Sequence, residues 1–272
     1  MKRLIRSATC LAVTTALTLA LTGCATSPTG RNQLKFFGEQ KMAAMGDQSF
    51  AELKKKTPID SNSSDTRFVS CVANAITAVP GVAEAADGPW QVTVFNEDQV
   101  NAFALPGGNI GVYSGLLPVT KNAAQLAAVI GHEVGHVVAG HGNERMSSQY
   151  ATQGGLTVLS AFLGGGAGGA NSQAIMSALG VGAQVGILLP FSRAQESEAD
   201  LIGLELMAKA GFDPRESVAL WQNMSAASNG QKPNEFVSTH PSNDHRIAAL
   251  EAHMNQATQV YNATRNRPNC SK

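Results

Sequence analysis

The chain has 272 residues, 43% of them apolar, and its 20 Lys+Arg balance its 20 Asp+Glu. That length suits one domain with a sizeable core. The zero net charge lacks the basic excess of a nucleic-acid binder, so no nucleic acid is expected among the partners.

The predicted elements follow in chain order. Residues 1–23 read as a leader, with a basic "MKRLIR", a short apolar "CLAVTTALTLAL" and small residues before Cys24. The apolar run is too short for a membrane span and has the layout of a secretory signal. "LTGC" resembles the bacterial lipobox, which implies lipidation of Cys24. Ala25 after it implies an outer-membrane lipoprotein facing the periplasm. Residues 24–35 read as a tether. With Cys10 lost and Cys24 lipidated, Cys71 and Cys270 remain as an even pair in an oxidising compartment, where a disulfide is expected.

"EQKMAAMGDQSFAELKKK" has helical spacing and ends in a lysine run, which suits a helix C-terminus. Phe68, Val72, Ile76 and Val79 predict a second helix, stopped by Pro80-Gly81. "WQVTVFN" alternates and is β-branched, so it is a strand. "NAFALPGGNIGVYSGLL" predicts two short strands around "PGG". Asn101, Ala102, Phe103 and Ala104, running on to Leu105, are the candidate edge for an extended substrate, because a strand edge holds a chain through main-chain hydrogen bonds. Helices dominate from Asn122. "DPRE" at 213–216 predicts a helix start with Asp213 as cap and Glu216 three residues on. Met146–Ser192 is uncharged and glycine-rich; it reads as a buried helical hairpin or loop, or as a lid or membrane-facing element beside a site.

"HEVGH" carries the chemistry. His132 and His136 are four apart, so one helix face offers both imidazoles to one metal ion. Glu133 points to the edge of that face, where a carboxylate can take a proton from a water beside the metal. The pattern alone also fits a pair of satisfied core histidines. A third histidine at metzincin spacing is missing: Ala139 and Gly142 stand where a glycine and a histidine belong. His141 is five residues after His136, well round a continuous helix, and reads as a helix-end residue. "RAQESEADLIGLELMAKAG" offers a carboxylate instead. Glu196 and Asp200 share a face with Gly203 and Met207, which makes Glu196 the economical ligand and Asp200 the group that orients a ligating histidine. Glu198 competes for the ligand role, although Ile202 follows it at four residues.

"HEVGH", "ESEAD", "STHP" with Arg246, and "NAFALPGG" upstream resemble the gluzincin metallopeptidases of the Ste-type CAAX protease and HtpX family. The likeness spans about residues 35–255 and is greatest to the family's soluble periplasmic lipoprotein peptidases. It implies one zinc per chain on His132, His136 and Glu196, with Glu133 as general base, Asp200 behind the ligands, and His240 and Arg246 near the site, either of which could stabilise an oxyanion. His240 could instead take the fourth zinc position as a gate. The implied fold is α+β, mostly helical and zincin-type, with a small sheet beside the active-site helix. Residues 36–256 would form the peptidase domain and 257–272 a C-terminal tail. The expected function is a zinc endopeptidase that cuts damaged or misassembled envelope proteins at the outer membrane. The rival is an assembly factor for outer-membrane proteins with a closed site, which would bring outer-membrane assembly machinery in as a partner. A zinc hydrolase of non-peptide substrates has only the promiscuity of folds behind it.

Overall fold

Alternation of side chains builds the sheet. The computed structural model describes residues 24–152, 191–228, 235–240 and 244–272. Strands β3 (Gln91–Phe95), β4 (Ala102–Leu105) and β5 (Asn109–Tyr113) form a sheet of order β3-β5-β4. β3 and β5 are parallel, and β4 and β5 are an antiparallel pair. Val92, Val94, Ala102, Ala104, Ile110 and Val112 face one core; Phe95, Phe103, Leu105 and Tyr113 face another. This is the period of two that a pleated strand imposes. Phe50, Phe95, Phe103 and Tyr113 meet with ring centroids 5.7 to 6.2 Å apart. Each such buried ring contributes about 1.5–3 kcal/mol.

Two early helices, α1 (Glu39–Lys56) and α2 (Ser63–Thr77), cover opposite faces of the sheet. Helix α3 (Ala123–Val138) is buried from Gln125 to His136, with the Asn122 side chain capping its start by accepting from Gln125 N. It packs chiefly on α5 (Arg193–Lys209), and also on α2, β4 and α6 (Glu216–Ser228). The close α3–α5 approach needs glycine on both sides: a Cβ on Gly203 would lie 2.7 Å from His132 N, and one on Gly131 3.0 Å from Gly203 O. Between α3 and α4 (His141–Thr152), Gly140 has φ +68, a left-handed turn that ends one helix and starts the next. Helices α7 (Glu235–Thr239) and α8 (Asp244–Ala263) complete the fold, and α8 packs on α5. The architecture is the mostly helical α+β fold that the resemblance implied, with its small sheet beside the HEVGH helix.

Three readings differ from the sequence. The expected tether pairs as a hairpin of β1 (Cys24–Thr26) and β2 (Asn32–Leu34), and its buried Gln33 donates to Ala139 O at 2.7 Å. The expected boundary at 256 falls inside α8, and beyond it Cys270 is joined to Cys71 of α2, with Cα atoms 5.7 Å apart. Glu216 completes no capping box with Asp213; it accepts from Gln125 Nε2 at 2.8 Å and Asn122 Nδ2 at 3.0 Å and so holds the start of α3. The leader and residues 153–190 of the uncharged stretch lie outside the described residues. Among the described residues, no helix is long and apolar enough to cross a membrane.

Candidate metal centre

Helix α3 presents His132, Glu133 and His136 into the protein interior, where all three are buried. Helix α5 adds Glu196, whose first turn is fixed by a capping box between Ser192 and Gln195. His240, just past α7, brings a third imidazole. His132 Nε2 stands 3.1 Å from His136 Nε2 and 3.1 Å from His240 Nδ1. Glu196 stands 3.5 Å from His132, 3.6 Å from His136 and 3.0 Å from His240. Donor atoms from all four lie within 4.8 Å of one another. These separations suit one ion: ligands at 2.0–2.1 Å in a tetrahedron are about 3.3 Å apart.

The chemistry of the donors fits a metal as well. Burial, with the nearby charge of His132, keeps the His136 imidazole well below its usual range and so neutral, as a ligand must be. Among the described residues, Glu133 Oε1 is buried without a hydrogen-bond partner. It lies 3.4 Å from His240 Nε2, which is not aligned to bond it. Burial pushes the Glu133 carboxyl up, against the pull of His240 and His132. A buried carboxylate with a vacant oxygen beside three imidazoles and a second carboxylate is arranged for proton transfer at a metal.

Each α3 histidine is held from behind. His132 Nδ1 is 3.0 Å from Asp200 Oδ1. Burial works to raise the Asp200 carboxyl, but Arg246 and the bond from His132 hold it at about 2. Arg246 clamps Asp200 with Nε and Nη2, each at 2.6 Å, and reaches Glu196 Oε2 at 2.7 Å and His240 O at 3.2 Å. Its guanidinium lies 4.0 Å from the Trp221 ring centre. The expected oxyanion role for Arg246 does not match this placement, because these buried carboxylates and the loop carbonyl engage the guanidinium. Phe236 and Phe191 stack on His240, with centroids 4.8 and 5.4 Å away.

Glu198, the rival ligand, points away from the donor set and accepts from Thr29 Oγ1 at 2.6 Å and Arg31 Nε at 3.0 Å. His141 is also outside the set, yet its Nδ1 lies 2.8 Å from His136 Nδ1. Sequence reasoning missed that contact because it ran α3 on through Gly140. The glycine before "HGNE" was the available signal of a break. Asn101 precedes β4 and caps its first N–H through Oδ1 at 2.9 Å. Among the described residues, β4 pairs with no strand on its outer edge. Phe103 and Ala104 line a cavity of about 270 Å³ together with Glu133, His136, Val137 and Phe191.

The profile of peptidase family M48 matches residues 65–254. The chain is 40% identical over 194 residues to the mitochondrial metalloendopeptidase OMA1 of Schizosaccharomyces pombe, covering 71% of this chain and 54% of that protein. It is 32% identical over 221 residues to the beta-barrel assembly-enhancing protease of Yersinia pestis, covering 80% and 44%. The Escherichia coli K12 protein of the same name is 29% identical over 216 residues, covering 78% and 43%. The chain thus spans about half the length of these relatives. The matched region runs from α2 into α8 and contains the whole donor set with Glu133 beside it, so the chain belongs to peptidase family M48.

Proposed function

We propose that this chain is a zinc endopeptidase of the bacterial periplasm, lipid-anchored through Cys24 to the outer membrane, that degrades unfolded or misassembled envelope proteins. The observation that carries the chemistry is the buried His132–His136–Glu196 set with the vacant Glu133 oxygen beside it. Two imidazoles and a carboxylate suit zinc. Zinc held there by His132, His136 and Glu196 would supply Lewis-acid polarisation of the scissile carbonyl and acidify the attacking water. Glu133 takes the proton of that water and returns it to the leaving amine. Its raised carboxyl fits both halves of that transfer. Asp200, clamped by Arg246, keeps His132 in one ring orientation.

The outer edge of β4, from Asn101 to Leu105, receives the substrate as an added strand, with the 270 Å³ cavity beside it for side chains. Main-chain pairing is largely blind to sequence and suits unfolded chains. The leader, the lipobox likeness and the beta-barrel assembly-enhancing relatives support the envelope setting. The test is hydrolysis of an unfolded protein by the full chain. Activity should vanish with a chelator and fall by about 10²–10⁴-fold in Glu133→Gln, the usual worth of a general base. Hydrolysis that persists in both overturns the reading.

His240 favours a second reading, an assembly factor for outer-membrane proteins, because its imidazole sits among the ligands, where it would take the fourth position and hold the site closed. Outer-membrane protein assembly that survives Glu133→Gln unchanged supports that reading; its loss with hydrolysis removes it.

A further inference from the structure

We infer that the N-terminal hairpin is part of the metal centre: Thr29 and Arg31 fix Glu198, Glu198 fixes His141, and His141 orients the metal ligand His136 through a second imidazole. The contacts form one unbroken line. His136 Nδ1 and His141 Nδ1 are 2.8 Å apart, and His141 Nε2 lies 3.1 Å from Glu198 Oε2. Glu198 then accepts from Thr29 Oγ1 at 2.6 Å and from Arg31 Nε at 3.0 Å. Arg31 also pairs with Glu144 at 2.7 Å, and Gln195 donates to Glu144 at 2.9 Å, which ties the hairpin to both α4 and α5.

Proton positions along this line are dictated by its ends. His136 must keep the Nε2 lone pair, which faces the other donors, so its proton is on Nδ1. That N–H can only donate, and His141 Nδ1 must accept. The His141 proton is therefore on Nε2, where it donates to Glu198. A carboxylate is an acceptor and closes the sequence without conflict. A ligating histidine commonly donates its other N–H directly to a carboxylate or carbonyl, which fixes its ring and tautomer. His132 does this with Asp200 at 3.0 Å. His136 does it at one remove: the intervening imidazole carries the constraint to Glu198, 57 residues along the chain from His141, and Glu198 passes it to Arg31 and Thr29 of the hairpin, 167 and 169 residues away. His141 and Glu198 are buried, whereas the Arg31 side chain is 27% exposed, so the line runs from the interior to the surface. His141, Glu198, Arg31 and Thr29 are positioning residues; none touches the reacting atoms.

The inference rests on His136 being a metal ligand, so the experiment measures zinc affinity by chelator competition in the full chain, with His136→Ala alongside. His141→Phe should weaken zinc binding by about 10–100-fold, the usual cost of losing such a partner. His141→Asn, whose Oδ1 stands where Nδ1 accepts, should recover most of that loss. Arg31→Ala, at the surface end of the line, should weaken binding toward the lower end of that range, about tenfold. Nitrogen-15 NMR of the zinc-loaded protein should find His136 protonated on Nδ1 and His141 on Nε2. Zinc affinity within twofold of wild type in both His141→Phe and Arg31→Ala, while His136→Ala loses zinc, overturns the relay and leaves the ligand assignment intact. Zinc retained by His136→Ala overturns both. Equal losses in the Asn and Phe variants, or the opposite tautomers, also overturn it.

Discussion

Gly203→Ala tests whether close helix packing sets the metal geometry. Gly203 lies where α5 touches α3. A Cβ there would sit 2.7 Å from His132 N, 2.8 Å from Gly131 C and 3.0 Å from His132 Cα, whereas ordinary contact begins at 3.4 Å. The obstacles are backbone atoms, so no rotamer change relieves them. Bringing the nearest contact to 3.4 Å needs a retreat of about 0.7 Å between the two helices. Two opposed effects then act on stability. Alanine favours the helix over glycine by about 1 kcal/mol, and overpacking costs about 1–3 kcal/mol. The net loss is about 0–2 kcal/mol, or up to roughly 8 °C in Tm at about 2–4 °C per kcal/mol. Metal binding should suffer more. Glu196 is on α5 and His132 and His136 are on α3, so the retreat enters the ligand separations directly, and such sites tolerate about 0.2 Å. A loss of at least about tenfold in metal affinity is expected, about 1.4 kcal/mol. Chelator competition, with thermal unfolding of the metal-free and loaded protein, measures both effects. Gly38→Ala is the control, since a Cβ there meets nothing within 4 Å. Metal affinity within twofold of wild type, with an equal or higher Tm, would refute the reasoning.

On the gate reading, His240→Ala should raise basal hydrolysis of an unfolded substrate severalfold, because it removes an imidazole whose donor atom lies within the ligand set; a lower rate with zinc retained assigns His240 to oxyanion stabilisation instead. The Cys71–Cys270 bond spans 199 residues, and in the chain-entropy account a loop of that size stabilises by about 5 kcal/mol. Denaturant unfolding of the Cys71→Ser/Cys270→Ser variant should therefore show a loss of several kcal/mol, and a loss under 1 kcal/mol would contradict it.

Local periodicity made most of the elements readable. The spacing of Phe68, Val72 and Ile76 gives α2, and the alternation in "WQVTVFN" gives β3. The N-terminal hairpin left no such trace. "CAT" and "NQL" are three residues each, too short to show a period, and the partners that fix the hairpin are far along the chain. Arg31 meets Glu144 at a separation of 113 residues and Glu198 at 167. A tether and a docked hairpin are the same string until those partners are in place. Likewise "DPRE" predicts a local capping box, but Glu216 finds Gln125 across the fold instead. Local sequence proposes a partner, and tertiary packing brings a competitor.

The same competition decided the site. "HEVGH" was legible because the helix period alone puts two imidazoles on one face. In "ESEAD" the spacing marked Glu196 as the economical ligand and Asp200 as the group behind a histidine, and left Glu198 competing for the ligand role. Which of the three meets the metal depends on what faces each of them. Glu196 faces the imidazoles, 3.5 Å from His132 and 3.6 Å from His136. Asp200, one turn on, meets Arg246 and takes the proton side of His132. Glu198 turns to a hairpin that the sequence read as slack chain. His141 changed meaning for a backbone reason: a continuous helix would carry it round from His136, and the left-handed turn at Gly140 brings it back. The ligands nearest the metal follow from short-range spacing, so they can be read from the sequence. Of the groups that hold those ligands in place, Asp200 shares a helix face with a ligand and could be read as well, whereas His141 and Glu198 act through distant segments, and the fold has to be known before their roles can be assigned.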